Sequence, residues 1–412
     1  MPVMRAKFTL SMLRAWLTET NRRAKRFANP PETAERNASI SADIPKILPS
    51  ISRSVEKTAA DYWYNFPNMG IRLSRREFLK LCAAAGLAGL AFRPFSGFEE
   101  DNQKNDLIRI TVRSVSVYSQ PDDKSRILFQ RFRDELVNIY YELESESGPA
   151  YNPVWYRVWG GYIHRANTQR VTVQYNPVVS QIRKDRQLAE VTVPYSQAMR
   201  YTSISGWQPL YRLYFESVHW VTGIDEGPDG EAWYRILDEL LKIEYHAPAY
   251  HLRLIPDEEL TPISPEIPHH KKRIVVSRGR QTLTCYENDE IVFQTRVSTG
   301  LNYKPEGQIP WETPKGEFNI YSKMPSKHMG DGRLSGNPED YELPGVPWTC
   351  FFEQTGVAFH GTYWHQDFGT PRSHGCVNMP TSEAKWLYRW VLPISEPDDM
   401  ERVGYGTRVV VE

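Results

Sequence analysis

The chain has 412 residues, with 50 Lys+Arg against 50 Asp+Glu and a formal net charge of +0, so no global positive field draws it to nucleic acid. Four cysteines (Cys82, Cys285, Cys350, Cys376) are too few for a disulfide scaffold, and no apolar run reaches the roughly 20 residues of a membrane-spanning helix. The 30 prolines, 25 glycines and 12% aromatic share point to turns and short strands, and so to a mainly β chain long enough for several domains.

Residues 1–68 are basic, then polar, without a sustained period, and read as a disordered leader. Ser74-Arg75-Arg76-Glu77-Phe78-Leu79-Lys80 places Phe and Leu after paired arginines at the offsets of a twin-arginine export signal. A short Gly/Ala-rich apolar core follows over 81–92, so residues 69–95 are assigned as the signal. Such signals sit at an N-terminus, and Met69 lies just ahead of Ser74. The expectation is that translation starts at Met69 and that 1–68 come from an over-extended gene start. The protein is thereby expected outside the cytoplasm, in the periplasm or cell wall. No small-x-small cleavage site follows Phe92, which leaves weak membrane anchoring through an uncleaved signal open. Residues 96–106 are polar and acidic, a linker.

Two β modules are predicted next, at 107–173 and 188–255. Short β-branched and aromatic runs such as Ile108–Val112, Leu136–Tyr141 and Trp155–Val158 alternate with turn-prone stretches. The plan then repeats: Tyr118-Ser119-Gln120 recurs as Tyr195-Ser196-Gln197, and Trp155-Tyr156-Arg157-Val158 as Trp233-Tyr234-Arg235-Ile236. Both copies resemble bacterial SH3-like barrels, which implies an accessory role beside a cell-wall enzyme. Their Tyr and Trp side chains suit either gripping wall polymer or filling a small core.

Pro256, Pro262, Pro265 and Pro268 make 256–270 an extended, semi-rigid linker. Beyond it, 271–412 opens with three strands, over 272–277, 281–286 and 290–297. Ser298-Thr299-Gly300 ends the third, and Thr313-Pro314-Lys315-Gly316 turns into another. Residues 323–348 show little strand signal and read as a long loop, of the kind that serves as a lid, serves as a binding loop or is disordered. Thr381 is placed to cap a helix over 383–390, which stops before Pro393. Trp386 and Trp390 share one of its faces.

The chemistry concentrates in His360-Gly361-Thr362-Tyr363-Trp364-His365 and Ser373-His374-Gly375-Cys376-Val377-Asn378. A thiol becomes a strong nucleophile when an imidazole removes its proton, and backbone N–H groups beside it can hold an oxyanion. Cys376 is the candidate nucleophile and His360 its base, with Gly375 and Cys376 N–H as oxyanion donors. With the Ser-Thr-Gly and Thr-Pro-x-Gly segments, these motifs resemble the L,D-transpeptidases of the YkuD family across essentially all of 271–412.

The resemblance implies a β-sandwich-like mixed catalytic domain, with 323–348 a lid shaping the donor site. It implies that Ser373, His374 and Asn378 support the loop and donor, with His374 an alternative base. Gly361, Tyr363, Trp364, His365 and Arg372 are expected at the substrate cleft. Trp364 reads equally well as packing, and Arg372 reads more readily as a solvated side chain. It further implies a thioester formed from a peptidoglycan stem tetrapeptide and a 3→3 cross-link when a second stem's amine attacks. With water as acceptor, the enzyme is an L,D-carboxypeptidase. A non-catalytic wall-binding protein is the rival of another class. A zinc site built from His360, His365, His374 and Cys376 has no usual ligand spacing. No cofactor and no metal are expected. Cys285 and Cys350 read as two buried thiols, with a disulfide as the alternative.

Overall fold

The computed structural model describes residues 106–412 apart from Lys184, Gly307 and Gln308, together with 64–65 and 72–73. The leader and the export signal lie outside the described residues, except for an antiparallel pair of two-residue strands, β1 (Tyr64–Asn65) and β2 (Arg72–Leu73).

The first repeat contains β3 (Leu107–Ile110), β4 (Ser114–Tyr118), β5 (Ile127–Phe132), β6 (Leu136–Glu144), β7 (Val154–Val158), β8 (Gly161–His164) and β9 (Thr168–Val171). The second contains β10 (Gln187–Val191), β11 (Tyr195–Thr202), β12 (Gly206–Tyr214), β13 (Val218–Glu226), β14 (Ala232–Leu237), β15 (Glu244–Pro248) and β16 (Leu252–Leu254). Their sheet orders, β5-β4-β8-β7-β6-β3-β9 and β12-β11-β15-β14-β13-β10-β16, coincide when each strand is exchanged for its counterpart. The turns before the long strands match too, with Asp134 and Glu216 at φ 64 and 65.

A bulge in β6 between Ile139 and Tyr141, and one in β13 between Val221 and Gly223, lets each long strand bend and serve two neighbours. The expected barrels are not closed. Each sheet keeps two unpaired ends, and β4–β8 and β11–β15 touch through one bridge apiece. All four anchors that revealed the repeat are buried: Tyr156 and Tyr234 fill the two cores, whereas Trp155 packs outside them against Tyr118 and His164, and Trp233 against Trp207.

The C-terminal domain adds β17 (Lys272–Ser277), β18 (Thr282–Glu287), β19 (Glu290–Arg296), β20 (Gly316–Asn319), β21 (Ser322–Gly330), β22 (Glu342–Glu353), β23 (Val357–Gly361), β24 (Val377–Met379), α1 (Thr381–Trp390), β25 (Arg402–Val403) and β26 (Arg408–Val411). Two five-stranded sheets result, β19-β18-β17-β26-β20 and β24-β23-β22-β21-β25. Each mixes antiparallel pairs with one parallel pair, β17–β26 and β23–β24. Ile274, Val276, Phe359 and Val377 share a core with Leu387 and Trp390 of α1. Leu188, Val218 and Trp220 of the second repeat belong to that same core, so the second repeat and the C-terminal domain are welded by apolar burial.

Three expectations change. The predicted lid of 323–348 is mostly the hairpin β21–β22, leaving 331–341 as its loop. Its strand character was masked because β21 buries polar groups. Lys323 Nζ donates to the carbonyls of Val391 and Pro393, and Ser326 Oγ to that of Val218. His328 lies between Asp238 and Glu342.

The Pro-rich segment is a strap packed on the fold rather than an extended linker. Leu260 enters the shared core, Ile263 N–H donates to Arg389 O, and Glu259 pairs with both Arg253 and Lys385. Pro380 is the N-cap of α1 and Thr381 is its first residue, with no side-chain cap. Cys285 and Cys350 are both free and buried.

Candidate active site

His360 is the next-to-last residue of β23 and Asn378 stands opposite it in β24. Phe359 and Val377 point into the shared core. Alternation therefore turns His360, Asn378 and Cys376, one step ahead of β24, to the other face. His360 is 2% exposed and its Nδ1 lies 3.0 Å from the Gly361 carbonyl, to which only an N–H can donate. That fixes the tautomer and leaves Nε2 with the free lone pair.

Burial lowers the His360 imidazolium to about 4 and raises the Cys376 thiol to about 11, opposed by a hydrogen bond from the Ala358 N–H. Both groups are thus neutral near pH 7. An ion pair between them is therefore uphill at neutral pH.

The loop before Cys376 is held from two sides. Ser373 Oγ donates to Cys376 O and accepts the Gly375 N–H at 3.2 Å. Gly375 N–H is therefore occupied, whereas the Cys376 N–H makes no hydrogen bond among the described residues. Cys376 N–H is the available oxyanion donor.

Thr313 Oγ1 donates to Gly375 O at 2.7 Å and accepts the Gly300 N–H, joining the Thr-Pro turn and the Ser-Thr-Gly strand end to the Cys loop. Gly375 has φ +128, a conformation that needs glycine. A Cβ on Gly300 would lie 1.9 Å from the Trp311 carbonyl oxygen, so no larger residue fits there.

Residues 271–411 match the family model of YkuD, the L,D-transpeptidase catalytic domain. The C-terminal domain is of the YkuD type. Similar solved structures include an L,D-transpeptidase from Xylanimonas cellulosilytica, at 24% identity over 34% of this chain and 60% of that one, TM-score 0.26. Another is an L,D-transpeptidase from Mycobacterium smegmatis, at 21% over 42% and 73%, TM-score 0.27. A third is the catalytic domain of the E. faecium enzyme, at 23% over 34% and 96%, TM-score 0.24. The chain thus spans less than two thirds of the Xylanimonas chain. No curated protein matches it.

Within the YkuD domain the predicted site residues separate. His374 is exposed at the mouth, its ring 3.9 Å from Trp311 and 6.2 Å from Tyr341. Trp364 lies 5.7 Å from the His360 ring and lines, with Tyr341 and Pro344, a cavity of about 280 Å³.

Other predicted cleft residues are engaged within the fold. Tyr363 lines the same cavity yet is buried, with its hydroxyl on Pro344 O and its ring beside Tyr214 of the second repeat. Gly361 faces Pro347 and Thr381, where a Cβ would come within 2.8 and 3.1 Å. Arg372 is already engaged by Asp367 and by Asn167 of the first repeat.

His365 is buried, and its imidazolium is pushed down to about 3 by burial, with Arg372 and His360 adding to it. Its Nδ1 accepts the Asp367 N–H. The neutral ring's proton therefore sits on Nε2, 2.9 Å from the Asn378 amide, and the amide must present its oxygen there. Among the described residues no three His, Cys, Asp or Glu gather as metal ligands. Sequence reasoning missed Trp311 and Tyr341 as walls of the mouth. The only signal was their aromatic character beside the Thr-Pro and Leu-Pro-Gly segments.

Proposed function

We propose that the protein is an exported peptidoglycan L,D-transpeptidase that forms 3→3 cross-links through a thioester on Cys376. The observation that carries this is the fixed tautomer of His360, with Nδ1–H on Gly361 O and Nε2 left as the basic nitrogen, on a strand paired with the one that Cys376 leads into.

Sulfur attacks the carbonyl of the third residue of a donor stem tetrapeptide as its proton passes to His360 Nε2. The developing oxyanion is received by the Cys376 N–H. The C–N bond then breaks, the imidazolium returns the proton to the departing amine of the terminal residue, and the thioester remains. An amine of a second stem attacks it, His360 takes that amine's proton, and the thiol is regenerated. No ATP is consumed, because the donor amide bond drives the transfer.

Incubation of the full chain with tetrapeptide muropeptides tests the reading. Dimers linked between third residues support it. Release of tripeptide alone makes the enzyme a carboxypeptidase, and no product from the wild type overturns both. Export is tested by the cellular fraction of the natural protein and its loss on Arg75→Lys/Arg76→Lys.

A further inference from the structure

The segment between the two reacting residues, 362–375, leaves β23 and returns to β24 across a surface made by the first repeat. Buried Arg109 of β3 reaches over and donates from Nη2 to Tyr363 O at 3.0 Å. The same guanidinium is fixed by Asp134 and Gln169 and stacked 4.0 Å from the Tyr214 ring.

Three residues on, the Gln366 N–H donates to Ala166 O, and Tyr156 Oη to Gln366 Oε1 at 3.1 Å. Asn152, wholly buried, donates to both Gln366 O and Asp367 Oδ1, at 3.2 and 2.9 Å. On its other side this segment is tied to the YkuD core. Ser298 Oγ donates to Asp367 O and the Gly369 N–H to Val297 O. The segment is thus clamped between two domains at Tyr363, Gln366, Asp367 and Gly369.

Each clamp point leads to a reacting group. Tyr363 carries Trp364, whose ring lies against His360. Asp367 holds His365, which holds Asn378, two residues beyond Cys376. We propose that the first repeat is a working part of the catalytic centre, with Asn152 and Arg109 as positioning residues that hold 363–372 so that His360 and Cys376 meet in reactive register. The inference rests on the assignment of Cys376 as nucleophile. It gives the repeat a role that requires no wall ligand.

The test uses the full chain and a carbapenem, of the β-lactam class that acylates the cysteine of this family, with intact mass read against time and concentration. Asn152→Ala is expected to lower the saturating acylation rate about tenfold or more, with half-saturation little changed, because misplacement costs rate rather than encounter. Tyr156→Phe, which removes one hydroxyl, is expected to lower it less and in the same direction. Amide exchange at Gln366, Asp367 and Gly369 should accelerate in both. Val117→Ala, a cavity in the first repeat's core that leaves every clamp donor in place, controls for simple destabilisation. It should lower the melting temperature and leave the saturating rate unchanged below it.

An unchanged rate in Asn152→Ala and Tyr156→Phe, or an equal fall in Val117→Ala, overturns the proposal. If the wild type is not acylated, the nucleophile assignment fails instead. The exchange measurement then still decides the clamp, which unchanged protection of 363–372 would refute.

Discussion

The two repeats share a strand order, a bulge and a turn of unusual backbone conformation, yet they meet the catalytic domain in opposite ways. The second gives Leu188, Val218 and Trp220 to the common core and anchors the β21–β22 hairpin by ionic contacts, Lys327–Glu239 and His328–Asp238. The first contributes no side chain to that core. It holds the catalytic segment through polar contacts from Arg109, Asn152, Tyr156 and Asn167. A duplicated module has thus been used once as foundation and once as clamp. The difference teaches that stability and catalytic alignment need not come from the same interface.

The sharpest way to break this comparison is to damage the foundation. Trp220→Ala should cost about 3–5 kcal/mol, read as a fall in the urea midpoint, while the protein that remains folded acylates at the wild-type saturating rate. A lost rate at intact stability would erase the distinction. Asn152→Ala makes the reciprocal case, with its rate loss exceeding what its stability change explains.

A smaller effect comes from His328. Its imidazolium lies above the usual histidine range, with burial opposing and Asp238 and Glu342 raising it. A raised histidine stabilises fully below about pH 6.5 and loses that contribution as pH rises through its folded value. The stability gap between wild type and His328→Gln should therefore be wide at pH 5.5 and narrow at pH 9 in urea titrations. Its neighbours Tyr211 and His219 are affected by the same burial, so a gap widening with pH would contradict the pairing.

The smallest effect is expected from Glu339→Ala. It breaks a part-exposed pair with Arg133 that joins the 331–341 loop to the first repeat, and should shift stability by no more than about 1 kcal/mol.

Legibility in the sequence followed the range of each interaction. Cys376, Gly375 and Ser373 were readable because they adjoin in the chain, and His360 because a motif carries it. The repeats showed through Trp155-Tyr156 and Trp233-Tyr234, whose tyrosines fill the two small cores. The β21–β22 hairpin stayed hidden because Lys323, Ser326 and His328 are buried by partners that sequence cannot bring to them. The clamp stayed hidden for the same reason. Arg109 and Asn152 look like solvated polar residues until Tyr363 and Asp367, more than 200 positions later, meet them. The linker misled because proline reports only what a segment cannot become, whereas Leu260 and Ile263 decided where it packs.

The measurement closest to the central claim is the pH profile of carbapenem acylation on the full chain, with the adduct mapped by peptide mass. The account predicts one adduct on Cys376 and none on Cys376→Ala. It predicts a rate that rises as His360 loses its proton near pH 4 and then holds level through neutrality, and a fall of about 10²- to 10⁴-fold in His360→Gln. An equal adduct on Cys376→Ala, or an unchanged profile in His360→Gln, would contradict it.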